Sequence, residues 1–294
     1  MPTSELTNDR ESELSTDGVS PRTFDLLRDL IRSESGITLS DAKRELLCSR
    51  LGRRVRELGL RGYDDYYHYL LCEDRDGVEL QQMVNCITTT KTDFFRENHH
   101  FEFLRDQAFR QWRANAAETS NYQLRIWSAA CSRGHEPYSI AITLLEHFGP
   151  RACWDIKILA TDINTDVLNF AERGIYPIEE AACLPREVRD RQFMKGTGQY
   201  ARTCRVREEL QRLIAFRQVN LTAAAFPFHG SFDAIFCRNL MIYFDETQQR
   251  QLVARLSERL RPGGYLFLGH SEHQTWLANY VESLGHTIYR KKNS

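Results

Sequence analysis

Phe232-Asp233-Ala234-Ile235-Phe236-Cys237-Arg238-Asn239-Leu240-Met241-Ile242-Tyr243-Phe244-Asp245 is the stretch that decides the fold. Its first six residues form an apolar run of strand length and read as a short buried strand. An arginine, an amide and a tyrosine follow at once. In an open α/β sheet, ligands bind beyond the carboxyl ends of the strands. Arg238, Asn239 and Tyr243 are therefore expected at the mouth of a site. Upstream, Trp127-Ser128-Ala129-Ala130-Cys131-Ser132-Arg133-Gly134-His135-Glu136-Pro137-Tyr138-Ser139 has the same layout of strand, glycine turn, acid and helix.

Working outward, short apolar runs alternate with helical stretches. Leu124–Ala130 precedes a helix over 136–148, Ile156–Ala160 precedes one over 165–173, and Phe232–Cys237 precedes one over 246–260. Gly264–Leu268 and Thr287–Tyr289 complete the strands. Such alternation implies a doubly wound, mostly parallel sheet. The rhythm breaks between Gly174 and Asn220. Gly196-Thr197-Gly198 marks a turn, and Ala201–Val206 and Leu213–Val219 alternate in polarity. This stretch, about 175–218, reads as an inserted helix with a small antiparallel β-unit.

The first part of the chain has a different texture. Residues 1–20 are rich in Ser, Thr, Asp and Glu and are expected to be a disordered tail. Phe24, Leu27, Leu30 and Ile31 recur at helical spacing. Ser40 is placed as the N-cap of a helix whose apolar stripe is Leu47, Leu51, Val55 and Leu58. A third helix carries Tyr63, Tyr66, Tyr67, Tyr69 and Leu70, and a fourth runs from about Asp76 to Asn85. The organisation expected is a tail (1–20), an all-helical domain (21–90), a linker with a helix (91–122) and an α/β domain (123–294).

The 294 residues are enough for two modest cores. A net charge of −1 excludes a global field for nucleic acid or membrane, so electrostatic recognition must be local. The eight cysteines are scattered, without the spacing of a metal site, and read as reduced thiols. Met1–Ser20 lacks the apolar core of a signal peptide, and no apolar run is long enough to span a bilayer. A cytoplasmic protein without metal, nucleic-acid partner or membrane insertion is expected, with monomer as the default. No internal repeat is evident.

Two features of the α/β domain suit an adenosine-type ligand. Gly134 lets backbone approach a ligand, and the helix after it offers free N–H groups. One glycine is not a dinucleotide fingerprint, and taken alone a structural turn explains it. Asp162, ending the strand Ile156–Ala160-Thr161, can accept both ribose hydroxyls. It serves equally well as an N-cap for a helix starting at Asn164.

These segments, together with Thr92-Asp93-Phe94-Phe95-Arg96-Glu97, Ala160–Ile163, Val219-Asn220-Leu221 and Gly269-His270-Ser271-Glu272, resemble the CheR-type chemotaxis methyltransferases in order and spacing, from Phe24 to Tyr289. That family uses S-adenosylmethionine to esterify receptor glutamates. The resemblance implies that Glu136 holds the cofactor's amino group and Asp162 its ribose. It implies that Asn220 and Leu221 flank the adenine, and that Asn239 with the Arg238 backbone lines the pocket. Thr92 and Arg96 would close over the cofactor. Two positions depart from the family pattern. Arg133-Gly134-His135-Glu136-Pro137-Tyr138 stands where the family often has Thr-Gly-Glu-Glu-Pro-Tyr, and Thr90 stands where it often has Asn.

A glutamate is already ionised near neutral pH, so it needs no general base to attack a sulfonium methyl, and the enzyme's task is positioning. The resemblance gives Arg96 and Tyr243 catalytic roles. Arg96 would orient the acceptor carboxylate, and Tyr243 would offer its hydroxyl to it or support the methyl approach. A structural ion pair and a core tyrosine are the plain alternatives. His270, Ser271 and Glu272 suggest a hydrolase, but no G-x-S-x-G elbow accompanies them. Lys43, Arg50, Arg53 and Arg54 lie near one another on a helix, in a stretch with seven Lys/Arg and three Asp/Glu between Ser40 and Gly62. Such a run is usually a solvated face; the resemblance makes it a docking surface for acidic receptor helices. The insert near Gly196–Arg207 resembles a subdomain that binds a receptor's C-terminal peptide in part of the family. The alternatives are a methyltransferase for another protein carboxylate or amide, and a silent cofactor-binding module.

Overall fold

A computed structural model describes residues 18–149 and 153–292. The described residues divide into two compact units, 18–34 with 39–87, and 35–38 with 88–149 and 153–292. In the first unit, α1 (Pro21–Ser35), α2 (Arg44–Glu57), α3 (Tyr63–Cys72) and α4 (Val78–Ile87) bury one face each. Phe24, Leu27 and Ile31 of α1 are fully buried, as are Leu51 of α2, Tyr66 of α3 and Met83 of α4. Their three- and four-residue spacing is what a helix needs to place an apolar stripe on a shared core.

The second unit opens with α5 (His99–Phe103), which passes through a π-turn at Leu104–Ala108 into α6 (Phe109–Thr119). Then follow β1 (Gln123–Ala129), α7 (His135–Phe148), β2 (Asp155–Asp162), α8 (Thr165–Arg173), β3 (Ile175–Pro177), α9 (Arg186–Gln192), β4 (Phe193–Lys195), β5 (Thr203–Val206), α10 (Glu208–Gln211) and β6 (Ile214–Gln218). The chain ends with β7 (Phe232–Cys237), α11 (Glu246–Arg259), β8 (Leu260–Leu268), β9 (Val281–Gly285) and β10 (Ile288–Lys291). Seven strands form one sheet in the order β6-β2-β1-β7-β8-β10-β9. The first five run parallel, and β10 is antiparallel to both its neighbours.

Alternating side chains on the central strands feed two apolar clusters. Ile126, Ala234 and Phe236 join one, with Tyr138 and Ile140 of α7. Trp127, Ile235 and Cys237 join the other, with Leu252 and Leu256 of α11. Both faces are covered, which is why β1 and β7 read as nearly continuous apolar runs. The strand order reverses between β1 and β7, so the carboxyl ends of these two strands flank the position where such sheets bind ligands.

Local signals explain the helix starts. Asn164 caps α8 by accepting from the N–H groups of Asp166 and Val167. Asp245 and Gln248 make a reciprocal capping box on α11. Asp162 is therefore not the cap of α8, which leaves its carboxylate to the loop after β1. Ser40 precedes only a short 3-10 turn, Asp41–Lys43, and makes no side-chain cap bond; Lys43 takes the N-cap position of α2. The tail expected over 1–20 lies almost entirely outside the described residues.

The inserted β-unit is smaller than the alternation suggests. β3, β5 and β4 form a separate three-stranded antiparallel sheet. Leu213–Val219, expected in that unit, instead supplies β6, which pairs parallel to β2 at the edge of the main sheet. An edge strand with one solvated face alternates in polarity just as a hairpin strand does, so the pattern alone does not separate the two. β9 was not anticipated. Its residues after Val281 are exposed, and the strand is defined by pairing with β10.

Candidate active site

The loop after β1 is bent sharply, with Ala130 and Ser132 in the left-handed region (φ 63° and 49°) and Gly134 at φ 87°. A Cβ on Gly134 would come within 2.7 Å of the Ala171 side chain and 2.9 Å of the Tyr176 hydroxyl, so glycine is required there. The Asp162 carboxylate pins this loop. One oxygen accepts from the Ser132 N–H at 2.8 Å, the other from the Asn164 N–H at 2.9 Å. Each oxygen keeps acceptor capacity beyond these bonds. Burial pushes the Asp162 carboxyl above the usual carboxylate range, against the pull of the neighbouring N–H groups. The Ser132 hydroxyl donates to the Thr90 carbonyl at 3.0 Å, and the Val219 N–H donates to the Asp162 carbonyl at 3.0 Å. Thr90, Asp162 and the Asn220-Leu221 segment are thus brought to one edge of the sheet.

A second cluster joins β7 to α7. Arg238 directly follows β7 and is 7% exposed. Its guanidinium lies 3.3 Å from Glu136 and 3.2 Å from Glu97, and also donates to the Arg96 carbonyl. Glu136, in the first turn of α7, accepts the Ser128 hydroxyl at 2.6 Å. Burial raises the Glu136 carboxyl, opposed by Arg238 and Ser128. Burial acts on Glu97 in the same direction, but Arg238, the His270 N–H and the Asn239 amide outweigh it, and Glu97 sits below the usual range. The site therefore holds two acids of opposite character on one cation.

Arg96 itself is exposed, and the residues on either side of it, Phe95 and Glu97, are both left-handed (φ 54° and 57°). The Phe95 N–H donates to the Ser139 hydroxyl at 2.9 Å, and Glu97 is held as described. Its flanks are thus fixed while its guanidinium, which reaches the Lys91 carbonyl at 3.4 Å, faces outward. Asn239 is also left-handed (φ 58°), and its N–H donates to Glu272 at 2.9 Å. Glu272 accepts further N–H groups from Met241 at 2.7 Å and Gly269 at 2.6 Å, which locks the loop after β7 to the end of β8. Tyr243 ends the one-turn 3-10 helix Met241–Tyr243, packs its ring against the core, and accepts the Thr38 N–H at its carbonyl. Asn220 accepts from the backbone and hydroxyl of Thr222, and Leu221 is buried. Thr92 is half-buried on the segment leading to Arg96.

The basic residues of the first unit are more engaged than their spacing suggests. Arg50 donates to the carbonyls of Cys86 and Ile87. Arg54 pairs with Glu57 at 2.6 Å and with buried Glu79, and Arg53 pairs with Glu57 at 2.7 Å. Lys43 is half-buried on the 3-10 turn before α2. Of the three arginines, Arg53 has the most exposed side chain.

Sequence reasoning left Glu97, Ser128 and Ser132 without roles, and read Glu272 only within a hydrolase constellation that it set aside. Glu97 and Glu272 lie inside the segments that carry the resemblance, and that was the available signal. Glu97, His99 and His100 also place ligand-type atoms within 4.8 Å of one another. The Arg238 guanidinium beside Glu97 opposes a cation there. Burial, with Arg238 and His99 nearby, drives the His100 pKa down to about 3.

The donor set fits an adenosyl amino acid. Two half-buried acids with raised pKa values gain from an ammonium group and ribose hydroxyls, and the loop before α7 offers close backbone approach. Strand order and site together define a nucleotide-cofactor-binding α/β protein of the methyltransferase class. The all-alpha domain of the CheR methyltransferases matches residues 22–88, and their SAM binding domain matches residues 90–289. The chain belongs to the CheR methyltransferase family and is an S-adenosylmethionine-dependent methyltransferase. Chemotaxis protein methyltransferase 2 of Pseudomonas aeruginosa is 45% identical over 268 residues, covering 90% of this chain and 91% of that one. The chemotaxis protein methyltransferase of Escherichia coli is 42% identical, covering 90% and 89%. That of Salmonella typhimurium is 43% identical, covering 88% and 86%.

Proposed function

We propose that this chain transfers the methyl group of S-adenosylmethionine to glutamate carboxylates on cytoplasmic helices of methyl-accepting chemotaxis receptors. The products are glutamate methyl esters and S-adenosylhomocysteine. The observation that carries the acceptor class is Arg96, an exposed guanidinium whose flanking backbone is fixed by Ser139 and by Glu97 beside a buried acid–arginine cluster. A planar cation held in this way suits a carboxylate.

The cofactor supplies an electrophilic methyl on a sulfonium. Glu136 holds its ammonium group, with Arg238 and Ser128 fixing the carboxylate, and Asp162 accepts the ribose hydroxyls. Asn220 and Leu221 flank the adenine, Asn239 with the Arg238 backbone lines the pocket, and Thr90 and Thr92 border it. Arg96 orients the acceptor carboxylate, which is already ionised and attacks without a general base. Tyr243 donates its hydroxyl to the same carboxylate. Lys43, Arg50, Arg53 and Arg54 give the first unit a positive potential toward acidic receptor helices, with Arg53 the most available. The β3–β5–β4 sheet is a candidate for capturing a receptor's C-terminal peptide by strand addition. The protein works as a monomer in the cytoplasm; among the described residues, no helix is long and apolar enough to cross a membrane.

The test is methyl transfer from labelled S-adenosylmethionine to receptor-containing membranes, followed by mild base. Base-labile label on the receptor is expected, as a carboxyl ester requires. Base-stable label would replace the carboxylate with an amide or amine acceptor. Binding of S-adenosylmethionine without transfer to any of a panel of receptors would make the chain a silent module.

A further inference from the structure

We infer that Glu180, in the inserted segment, is a positioning residue for the cofactor loop, and that through it the insert and the cofactor site are energetically coupled. Glu180 lies in the turn between β3 and α9. One carboxylate oxygen is 2.7 Å from Nε2 of His135, and the other is 3.1 Å from the Arg133 guanidinium. These two residues bracket Gly134, at the turn from the cofactor loop into α7. A carboxylate only accepts, so the His135 Nε2 carries the proton and donates it. Burial, despite the attraction of Glu180, lowers the His135 pKa and favours the neutral ring. Asp93 and Arg133 are the other charged groups acting on this ring.

Backbone strain makes the contact consequential. Ala130 and Ser132 are left-handed without being glycine, and such strained conformations persist only where the surrounding structure holds them. Asp162, Thr161 and Thr90 hold the near half of the loop. The far half is held from the insert, by Glu180 and by the Tyr176 hydroxyl, which donates to the Arg133 carbonyl at 2.7 Å. A cluster of tilted and edge-to-face aromatic rings backs these bonds. Phe94, two residues before Arg96, lies 4.5 Å from the His135 ring, 5.1 Å from Tyr176 and 5.5 Å from Phe193 of β4. Glu136 is the next residue after His135, so a loop released from Glu180 loses the register of the acid assigned to the cofactor's ammonium group. A carboxylate at position 135 would face Glu180 as a like charge, whereas the imidazole pairs with it.

The inference rests on cofactor binding at the Glu136–Asp162 edge. The test measures S-adenosylhomocysteine affinity by calorimetry for wild type, Glu180→Ala and Glu180→Gln. Hydrogen exchange over residues 175–206 is followed with and without the ligand. Glu180 is partly exposed, so its replacement leaves the fold intact, and thermal melting checks this. Glu180→Ala should bind on the order of ten-fold more weakly. Its KM for S-adenosylmethionine should rise while turnover at saturating cofactor holds. Glu180→Gln, whose amide oxygen still accepts one of the two donors, should fall between. Coupling is reciprocal, so the ligand should protect the insert in wild type and much less in Glu180→Ala. Unchanged affinity in Glu180→Ala beside tight wild-type binding overturns the inference alone. A wild-type chain that does not bind S-adenosylhomocysteine overturns the cofactor reading and the inference together.

Discussion

The guanidinium of Arg238 stands 3.3 Å from the carboxylate of Glu136, yet Glu136 remains harder to ionise than a free glutamate because burial outweighs the cation. A carboxyl whose folded pKa is raised binds its proton more tightly in the native state. Stability therefore falls as pH rises from the ordinary carboxylate range through the raised value, and the whole penalty is present above it. Glu136→Gln should raise the melting temperature of the ligand-free protein at neutral pH, and the gain should shrink as pH falls through the carboxylate range. The same variant should bind S-adenosylmethionine roughly ten- to hundred-fold more weakly, as expected for losing a charge-assisted hydrogen bond. Melting curves across pH, paired with calorimetry, read both effects. A variant that is less stable at neutral pH would show that Arg238 and not burial dominates at Glu136.

Glu97, on the same guanidinium at 3.2 Å, should behave in the opposite sense. Its folded pKa is depressed, so the stability it contributes is present above its unfolded pKa and is lost as pH falls through the folded value. Glu97→Gln should lower the melting temperature near neutral pH, and the deficit should close in acid. A deficit that stays constant with pH would mean that the amide merely packs badly.

The Rossmann-like architecture was legible because β1 and β7 are buried on both faces and the helices after them carry clear periodicity. Helix starts were less so, since Ser40 has the chemistry of a cap while the chain at Asp41–Lys43 takes a 3-10 turn first. Within the site, Asp162 ends a strand, and Glu136, Arg238 and Asn239 sit just after strands or strand-to-helix turns, where topology alone directs attention. Glu97 and Glu272 both act on Asn239, 142 and 33 positions away, through its side-chain amide and its backbone N–H. No local pattern encodes such distant partners. Glu180 carries no motif at all, and its meaning comes from the fold that lays the insert against the cofactor loop.

Asp162 ties Ser132 and Asn164 together and is assigned the ribose. Asp162→Ala should weaken S-adenosylhomocysteine binding by roughly 30-fold or more through loss of charge-assisted bonds alone. Freeing the Ser132 N–H should add to that. Calorimetry with adenosine as a second ligand isolates the ribose contribution, because adenosine has no ammonium for Glu136 to hold. Equal losses for both ligands are expected; wild-type affinity for adenosine would remove Asp162 from the ribose role.

Arg96 is exposed and tethered by its backbone, so replacing it leaves the cluster behind it in place. Arg96→Ala should reduce kcat on receptor on the order of hundred-fold, the scale expected when an acceptor is misplaced by about an ångström. Arg96→Lys should recover part of it, because a point charge attracts a carboxylate without fixing its plane. A steady-state comparison of the three proteins, with melting temperature as control, decides the matter. Unaltered turnover in Arg96→Ala would dismiss the orienting role.

Arg54 and Arg53 sit side by side on α2, but reversing them should not have the same consequence. The Arg54 side chain is 22% exposed and pairs with Glu79, which is 4% exposed and also accepts the Tyr66 hydroxyl at 2.8 Å. Removing Arg54 leaves that acid without its cation, and breaking such a pair costs about 3 kcal/mol. Arg53 pairs across the surface with Glu57, and an exposed pair of this kind contributes little to stability. Arg54→Ala should therefore lower the urea midpoint strongly at unchanged slope. Arg53→Glu should leave stability near wild type while weakening receptor methylation in a salt-sensitive way. Receptor methylation that survives Arg53→Glu at low salt would remove this residue from the docking surface and leave α2 a structural helix.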